Sequence, residues 1–225
     1  HRYRHPREMA APEVEAFLSH LANERQLSAS THKQALSALL FLYKRVLGIE
    51  LPWMQEIGRP RTPTRVPVVL SRDETQRLLT AMSGVHGLIA RLLYGTGMRK
   101  MECLRLRIKD VDFDRQLIIV REGKGQKDRI TMLPASLKAG LREQVGRARL
   151  FWSSDRAKER PGVEIPPGIA RKYPRASRSW PWFWVFPSDH EAVDPRTSER
   201  RRHHLYEDSV QRSLRRAARL SGMAK

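Results

Sequence analysis

The sequence predicts a protein of two parts that is mainly helical and contains one small antiparallel β-sheet. Three observations predict this architecture. Apolar residues recur at helical spacing within residues 11–47. A segment rich in proline and arginine, 58–65, then interrupts regular structure. Beyond it, helical patterns surround two strand-like runs at 116–120 and 128–133. We therefore expect a helical domain followed by a domain that mixes helices with a sheet.

The first part, residues 1–57, contains the patterns of two helices. The first helix is expected at 11–25, with an inward face formed by Val14, Phe17, Leu18 and Leu21. Ser30 is a candidate cap for the second helix, and Gly48 is a candidate stop. The inward face of that helix is expected to consist of Ala35, Leu36, Leu39, Leu40, Tyr43 and Leu47. Because two such helices bury little apolar surface, we expect the opening helix of this domain to be missing.

Residues 58–66 are predicted to form a basic linker. The run Gly58 to Arg65 holds two prolines, one glycine and three arginines, which disfavour both helix and strand. Arg59 and Arg61 are candidate contacts to a phosphate backbone. An ordinary surface loop is the alternative.

The second part, 67–225, opens on a capping box at Ser71 to Glu74. The helix that follows carries Leu78, Leu79 and Met82. Further helices are expected at 87–94, ended by Gly95-Thr96-Gly97, and then at 98–106, 134–150 and 207–221. The last of these places Val210, Leu214 and Ala217 on one face.

The segment 153–200 is predicted to be irregular because it is rich in proline and arginine. Within it, Trp182, Trp184 and Phe186 alternate like the buried face of a strand. Burial in the core of this segment is therefore favoured for the tryptophan cluster, and stacking on unpaired bases is the alternative.

The charge of the chain points to a polyanionic partner. The 225 residues hold 43 Lys and Arg against 24 Asp and Glu, a formal net charge of +19. Nucleic acid is the most common partner of such a chain, although a ribosomal or membrane-surface protein would also fit. The single cysteine, Cys103, excludes an internal disulfide and favours a reducing compartment. No apolar run is long enough to span a membrane, and no signal peptide is visible.

Two short segments could act on a phosphate. Glycines before Arg99 would let the backbone turn and present the guanidinium to two phosphate oxygens. Glu102, one turn later, could orient that arginine, although an ordinary surface ion pair is the alternative. Lys124 lies between glycines at an expected hairpin tip, where it could donate a proton to a leaving oxygen. A solvated basic turn is the alternative there.

These segments resemble a known family. Tyr94 to Asp112 followed by Gly123 to Arg129 is similar to the first half of the catalytic domain of tyrosine recombinases, the phage integrase family. Three further segments, Arg171 to Ala176, Trp180 to Phe186 and Arg201 to His204, resemble integron integrases. The resemblance implies a partial core-binding (SAM-like) domain at 1–57. It also implies a catalytic domain at 67–225 that lacks its C-terminal part and carries an insert at about 153–200.

The resemblance also implies a reaction. In this family a tyrosine attacks the scissile phosphate and forms a 3'-phosphotyrosyl link, with no metal and no cofactor. Arg99 matches the first catalytic arginine, Lys124 the general acid and Glu102 the supporting acidic residue. The family also requires a His-x-x-Arg box and a tyrosine nucleophile, which would lie beyond a helix like that at 207–221. The one His-x-x-Arg of the sequence, His1 to Arg4, lies outside the catalytic domain, so the required box and the nucleophile are absent from these residues. We therefore expect the chain as given not to cleave DNA.

The resemblance further implies how DNA is bound. Integron integrases integrate gene cassettes at folded single-stranded hairpins and at double-stranded sites, as tetramers on DNA in the bacterial cytoplasm. His203, His204 and Pro195 would hold one extrahelical base, with Arg121 near a second. Lys127 and Arg129 are further candidate DNA contacts. A polar surface pair is the alternative for the histidines, and zinc binding is disfavoured because adjacent histidines rarely both ligate.

A non-catalytic DNA-binding protein or an inactive relative of the recombinases is the alternative function. The sequence that follows Lys225 in the gene would discriminate between them, since an enzyme needs the missing box and tyrosine there. A ribosomal protein would explain the charge but not Arg99 and Lys124 together.

Overall fold

The computed structural model describes residues 4–25, 27–51, 69–121 and 128–223. The chain divides into two compact units, His1–Pro67 and Val68–Lys225. Arg59, Arg61, Lys124 and Lys127 lie outside the described residues, and so does the expected linker at 58–66. The fold is mainly helical with small antiparallel sheets, as predicted. No helix within the described ranges is long and apolar enough to cross a membrane.

The first unit contains two α-helices, α1 (Ala11–Asn23) and α2 (Ala29–Phe41), and α2 continues into a π-helix at Leu42–Leu47. Its core is formed by Val14, Leu18 and Tyr43. Gly48 ends the π-helix in a left-handed conformation, φ +67°, which confirms the predicted stop.

Three expectations for this unit were wrong. Ser28, not Ser30, caps α2, since the Ser28 hydroxyl accepts a hydrogen bond from the Thr31 amide at 3.2 Å. Phe17 and Leu40 are exposed. For Phe17 the reason is that the buried residues of α1 are Val14 and Leu18, four residues apart, so an apolar residue beside this narrow stripe meets solvent.

The second unit begins with three helices: α3 (Arg72–Thr80), α4 (Gly84–Thr96) and α5 (Lys100–Leu104). The predicted capping box is confirmed, because the Ser71 amide donates to Glu74 Oε2 at 2.8 Å and the Ser71 hydroxyl accepts from the Glu74 amide. Gly95 was wrongly expected to break α4, which continues to Thr96. A Cβ at Gly95 would lie 2.9 Å from Pro134, so this glycine permits close packing, and only Gly97 ends the helix.

A three-stranded antiparallel sheet follows, in the order β1 (Val111–Asp112), β2 (Leu117–Val120), β3 (Arg129–Met132). Leu117 pairs with Met132 and Val120 with Arg129. The inward residues of β2 enter the main core, whereas β3 exposes Ile130 and Met132. Arg129 and Thr131 therefore share the other face of β3.

Helix α6 (Lys138–Ala157) extends beyond the predicted end at Leu150, and α8 (Glu207–Leu220) matches the predicted last helix. Leu214 was expected to face inward with Val210 and Ala217, but its side chain is exposed. The buried residues of α8 are Val210 and Ala217, seven residues apart on one face of the helix. Leu214 lies at the margin of that face.

The segment 153–200 is more regular than predicted. It contains the end of α6, a short helix α7 (Pro167–Lys172), strand β4 (Pro187–Val193) and the first residue of its partner β5 (Arg200–His204). The alternation expected for the tryptophan cluster was wrong, because every residue from 183 to 188 is buried. Phe183 and Trp184 pack against α6 while Val185 and Phe186 enter the main core, so both faces of this stretch are covered.

Candidate phosphate-binding site

The backbone around Arg99 turns sharply between two helices. Gly97 ends α4 with φ +64°, a left-handed conformation that glycine adopts without strain. Met98 is buried in the main core, and Arg99 is the extended residue that precedes α5. This arrangement leaves the Arg99 side chain 55% exposed at the start of a helix. A guanidinium in that position can reach a bound phosphate.

Glu102 holds Arg99 in place from within α5. The Arg99 amide donates to Glu102 Oε2 at 2.8 Å, and Arg99 Nη1 donates to Glu102 Oε1 at 2.7 Å. The carboxylate is almost buried, since its side chain is only 8% exposed. The structure thus brings together the two residues that the sequence singled out in this segment.

Arg129 is the third member of this cluster. Its Nη1 and Nη2 donate to the two Glu102 oxygens at 2.9 and 2.6 Å, a bidentate geometry. Hydrogen bonding by Arg129 is the largest cause that lowers the pKa of Glu102 to about 2, and the same bonds raise the pKa of Arg129. Arg129 was predicted only as a DNA contact, because its pair with Glu102 joins a strand to a helix that lies 27 residues away in sequence.

Arg121 ends the other side of the same hairpin. Its Nε donates to Asp110 Oδ1 at 2.7 Å, and its Nη1 lies 3.4 Å from Asp128 Oδ2. Asp110 is buried and also accepts a hydrogen bond from the Arg107 amide at 3.1 Å. The Arg121 side chain is therefore anchored to the protein while remaining partly exposed.

His203 and His204 lie at the end of β5 and are both partly buried. The His204 ring meets Trp184 edge-on with centroids 5.3 Å apart, and burial lowers the pKa of His204. His203 Nε2 is buried without a hydrogen-bond partner among the described residues. Pro195 lies beyond the other end of the β4–β5 pairing, because Val193 pairs with Arg200 whereas His204 pairs with Pro187. The hairpin pairing therefore does not place Pro195 beside His204.

A buried ion pair fixes the strand that carries these histidines. Arg202, on β5, donates from Nε and Nη2 to the two oxygens of Asp155 at 2.7 Å each. Its Nη1 donates to the Ser188 carbonyl at 2.7 Å, and Arg160 adds a third bond to Asp155. The pairing of Arg202 with Asp155 was not predicted, since a charge pair 47 residues apart leaves no local pattern. Within the described ranges, no group of His, Cys, Asp and Glu could hold a metal ion.

Comparison with known proteins identifies the two units. Residues 68–225 match the phage integrase family, and residues 1–53 match the phage integrase N-terminal SAM-like domain. Proteins from Escherichia coli and Pseudomonas aeruginosa, each called integrase/recombinase, are each 57% identical over 225 residues. The alignment covers 100% of this chain and 67% of either relative.

Solved structures share the fold. The recombinase XerH in a pre-cleavage complex with its difH substrate is similar with a TM-score of 0.55 and 20% identity. That similarity covers 97% of this chain and 55% of the XerH chain, so the described fold corresponds to about half of that protein. Because the catalytic-domain match alone spans residues 68–225 and the SAM-like match covers the first unit, the chain belongs to the phage integrase family, the tyrosine recombinases.

Proposed function

We propose that these residues bind and activate the scissile phosphate in a site-specific DNA recombinase. The observation that carries this proposal is the cluster of Arg99, Glu102 and Arg129, in which an exposed guanidinium is fixed by a buried carboxylate at a helix start. Fixed positive charge stabilises the charge that develops on the phosphate oxygens during phosphoryl transfer. Family membership and the net charge of +19 support the same partner, DNA.

The proposed reaction uses only protein groups. A tyrosine gives up its phenolic proton to solvent, and its oxygen forms a bond to phosphorus while the bond from phosphorus to the 5' oxygen breaks. The leaving oxygen receives a proton from Lys124. Arg99 binds the non-bridging oxygens throughout. The attacking tyrosine is not assigned to any of the 225 residues. Tyr206 is exposed, but it is the residue that precedes α8, and no His-x-x-Arg box lies shortly before it, so it is not proposed.

We also propose the integron integrase type, with gene-cassette integration at folded hairpins as well as double-stranded sites. His203, His204, Pro195 and Arg121 would contact extrahelical bases. The edge-on packing of His204 on Trp184 and the unpaired His203 Nε2 support a rigid, partly desolvated contact surface there. Lys127, Arg59 and Arg61 are proposed as contacts to the phosphate backbone.

The wider organisation is proposed from the family. The domains would be 1–57 and 67–225, joined by a linker at 58–66 and with an insert at about 153–200. The full-length protein would act in the bacterial cytoplasm as a tetramer on DNA, without metal or cofactor.

The test is covalent trapping by the full-length protein on a nicked suicide substrate, in which the cut cannot be rejoined. The wild-type protein should accumulate a phosphotyrosyl adduct. The variant Arg99→Ala should lose adduct formation by about 100-fold or more while its affinity for DNA changes little. Normal cleavage by that variant would refute the role of Arg99. Absence of any adduct with the wild-type protein would favour the non-catalytic DNA-binding alternative.

A further inference from the structure

We propose that Arg129 is a positioning residue for Arg99, acting through Glu102 and not by touching DNA. This inference rests on the proposed function, because it concerns how Arg99 is presented to the phosphate. It replaces the expectation that Arg129 contacts DNA.

The hydrogen bonds of Glu102 show how the positioning works. Each carboxylate oxygen accepts one bond from Arg99 and one from Arg129. Oε1 accepts from Arg99 Nη1 and Arg129 Nη1, at 2.7 and 2.9 Å. Oε2 accepts from the Arg99 amide and Arg129 Nη2, at 2.8 and 2.6 Å. With both oxygens shared, the carboxylate has one orientation, and the Arg99 guanidinium is held by a rigid partner.

The free donors of the two arginines differ. Both terminal nitrogens of Arg129 donate hydrogen bonds to Glu102. Only Nη1 of the Arg99 guanidinium donates to Glu102, and its Nε and Nη2 have no hydrogen-bond partner within the described part of the chain. Two donors on one edge of a guanidinium suit two phosphate oxygens. Arg99 is therefore equipped to bind the phosphate, whereas Arg129 is equipped to hold Glu102.

Charge gives Arg129 a second effect. The cluster contains two guanidinium groups and one carboxylate, so it presents a net charge of +1 to a phosphate. Without Arg129, Glu102 alone would neutralise Arg99, and the cluster would have no net charge. The carboxylate is almost buried, so water screens this neutralisation poorly. Arg129 thus allows Glu102 to orient Arg99 without cancelling its charge.

A charge-restoring double variant tests this in the full-length protein. Single-turnover cleavage of a nicked suicide substrate would be measured for the wild type, Arg129→Gln, Glu102→Gln and the double variant. Arg129→Gln should slow cleavage on the order of 10- to 100-fold, with DNA affinity within about 3-fold of wild type. The double variant regains the net charge of +1 and should cleave at least about 5-fold faster than Arg129→Gln. Arg147→Gln, which breaks a surface pair with Glu143 on α6, is the matched control and should cleave normally.

A second substrate separates positioning from folding damage. A methylphosphonate at the scissile position carries one negative charge less, so it depends less on Arg99. The deficits of Arg99→Ala and Arg129→Gln should both shrink by about 10-fold or more on this substrate, whereas damage to the fold would slow both substrates equally.

Distinct outcomes separate the two proposals. Normal cleavage by Arg129→Gln, or a double variant no faster than Arg129→Gln, would overturn the role of Arg129 while Arg99 keeps its own. No cleavage by wild type and the Arg147→Gln control, or normal cleavage by Arg99→Ala, would instead overturn the proposed function and the inference with it.

Discussion

Two of the buried or nearly buried carboxylates of the second unit, Glu102 and Asp155, each bind two arginine side chains. Glu102 binds Arg99 and Arg129 at the proposed phosphate site, and Asp155, on α6, binds Arg160 and Arg202. Both carboxylates bind two arginines, but the Arg99 side chain in the first cluster is 55% exposed, whereas the Arg202 side chain in the second is 5% exposed. The first cluster thus presents an exposed guanidinium, whereas the second is a buried ion pair that joins α6 to β5.

Removal of the Asp155 carboxylate should destabilise the second unit strongly. Asp155→Ala would leave the buried Arg202 guanidinium without its carboxylate partner, at a cost of about 3–5 kcal/mol in the free energy of unfolding. Urea denaturation followed by tryptophan fluorescence would measure this, because Trp152, Trp180, Trp182 and Trp184 lie in this unit. Glu143→Ala, which breaks an exposed pair on the same helix, should cost less than about 1 kcal/mol. Equal losses for the two variants would contradict the stabilising role of the buried pair.

The same pair predicts a dependence on pH. Burial alone would raise the pKa of Asp155, but hydrogen bonds and charge from Arg202 and Arg160 outweigh it and lower the pKa below 3.8. A lowered pKa means that the stabilisation is complete above pH 3.8 and is lost as the pH falls through the folded-state value. We therefore expect the free energy of unfolding, measured by urea denaturation, to fall less for Asp155→Ala than for the wild type as the pH is lowered below 3.8.

At the scale of helices and strands, local signals predicted much of the structure. Ser71 and Gly48 were identified correctly because a cap or a left-handed stop depends on a few neighbouring residues. Which side chains of a helix face the core was less predictable. Phe17, Leu40 and Leu214 have the spacing of an inward helix face but are exposed, because the width of a buried stripe depends on what packs against it. The partners of Arg129 and Arg202 were unpredictable for the same reason, since each joins elements distant in sequence.

The turn between α4 and α5 offers a test at this scale. Gly97→Ala would force an alanine to φ +64°, and no atom within 4 Å would meet the added Cβ, so the cost is purely conformational. We expect a loss of about 1–2 kcal/mol in the free energy of unfolding. Gly146→Ala, in the middle of α6 and also without contacts within 4 Å, should instead stabilise by up to about 1 kcal/mol. Urea denaturation of both variants measures the contrast, and a stabilising Gly97→Ala would contradict the assigned turn.

At the scale of the whole molecule, DNA binding and DNA cleavage depend on different properties of the chain. The net charge of +19 attracts any polyanion, whereas cleavage needs a nucleophile placed against one phosphate. The 225 residues carry the proposed phosphate-binding groups without an assigned nucleophile. Binding and cleavage should therefore be separable in this chain.

The 225-residue chain should accordingly bind DNA weakly, in a manner that depends steeply on salt, and should form no covalent adduct. Neutralising several phosphates releases counterions, so a chain that makes about six phosphate contacts should lose on the order of 1,000-fold in affinity between 50 and 200 mM salt. Fluorescence anisotropy on duplex and hairpin DNA at several salt concentrations would give the slope. The same samples, incubated with a nicked suicide substrate and separated under denaturing conditions, would show any adduct. An adduct would mean that one of the tyrosines present here attacks the phosphate, and affinity that does not change with salt would mean that the positive charge is not what holds the DNA.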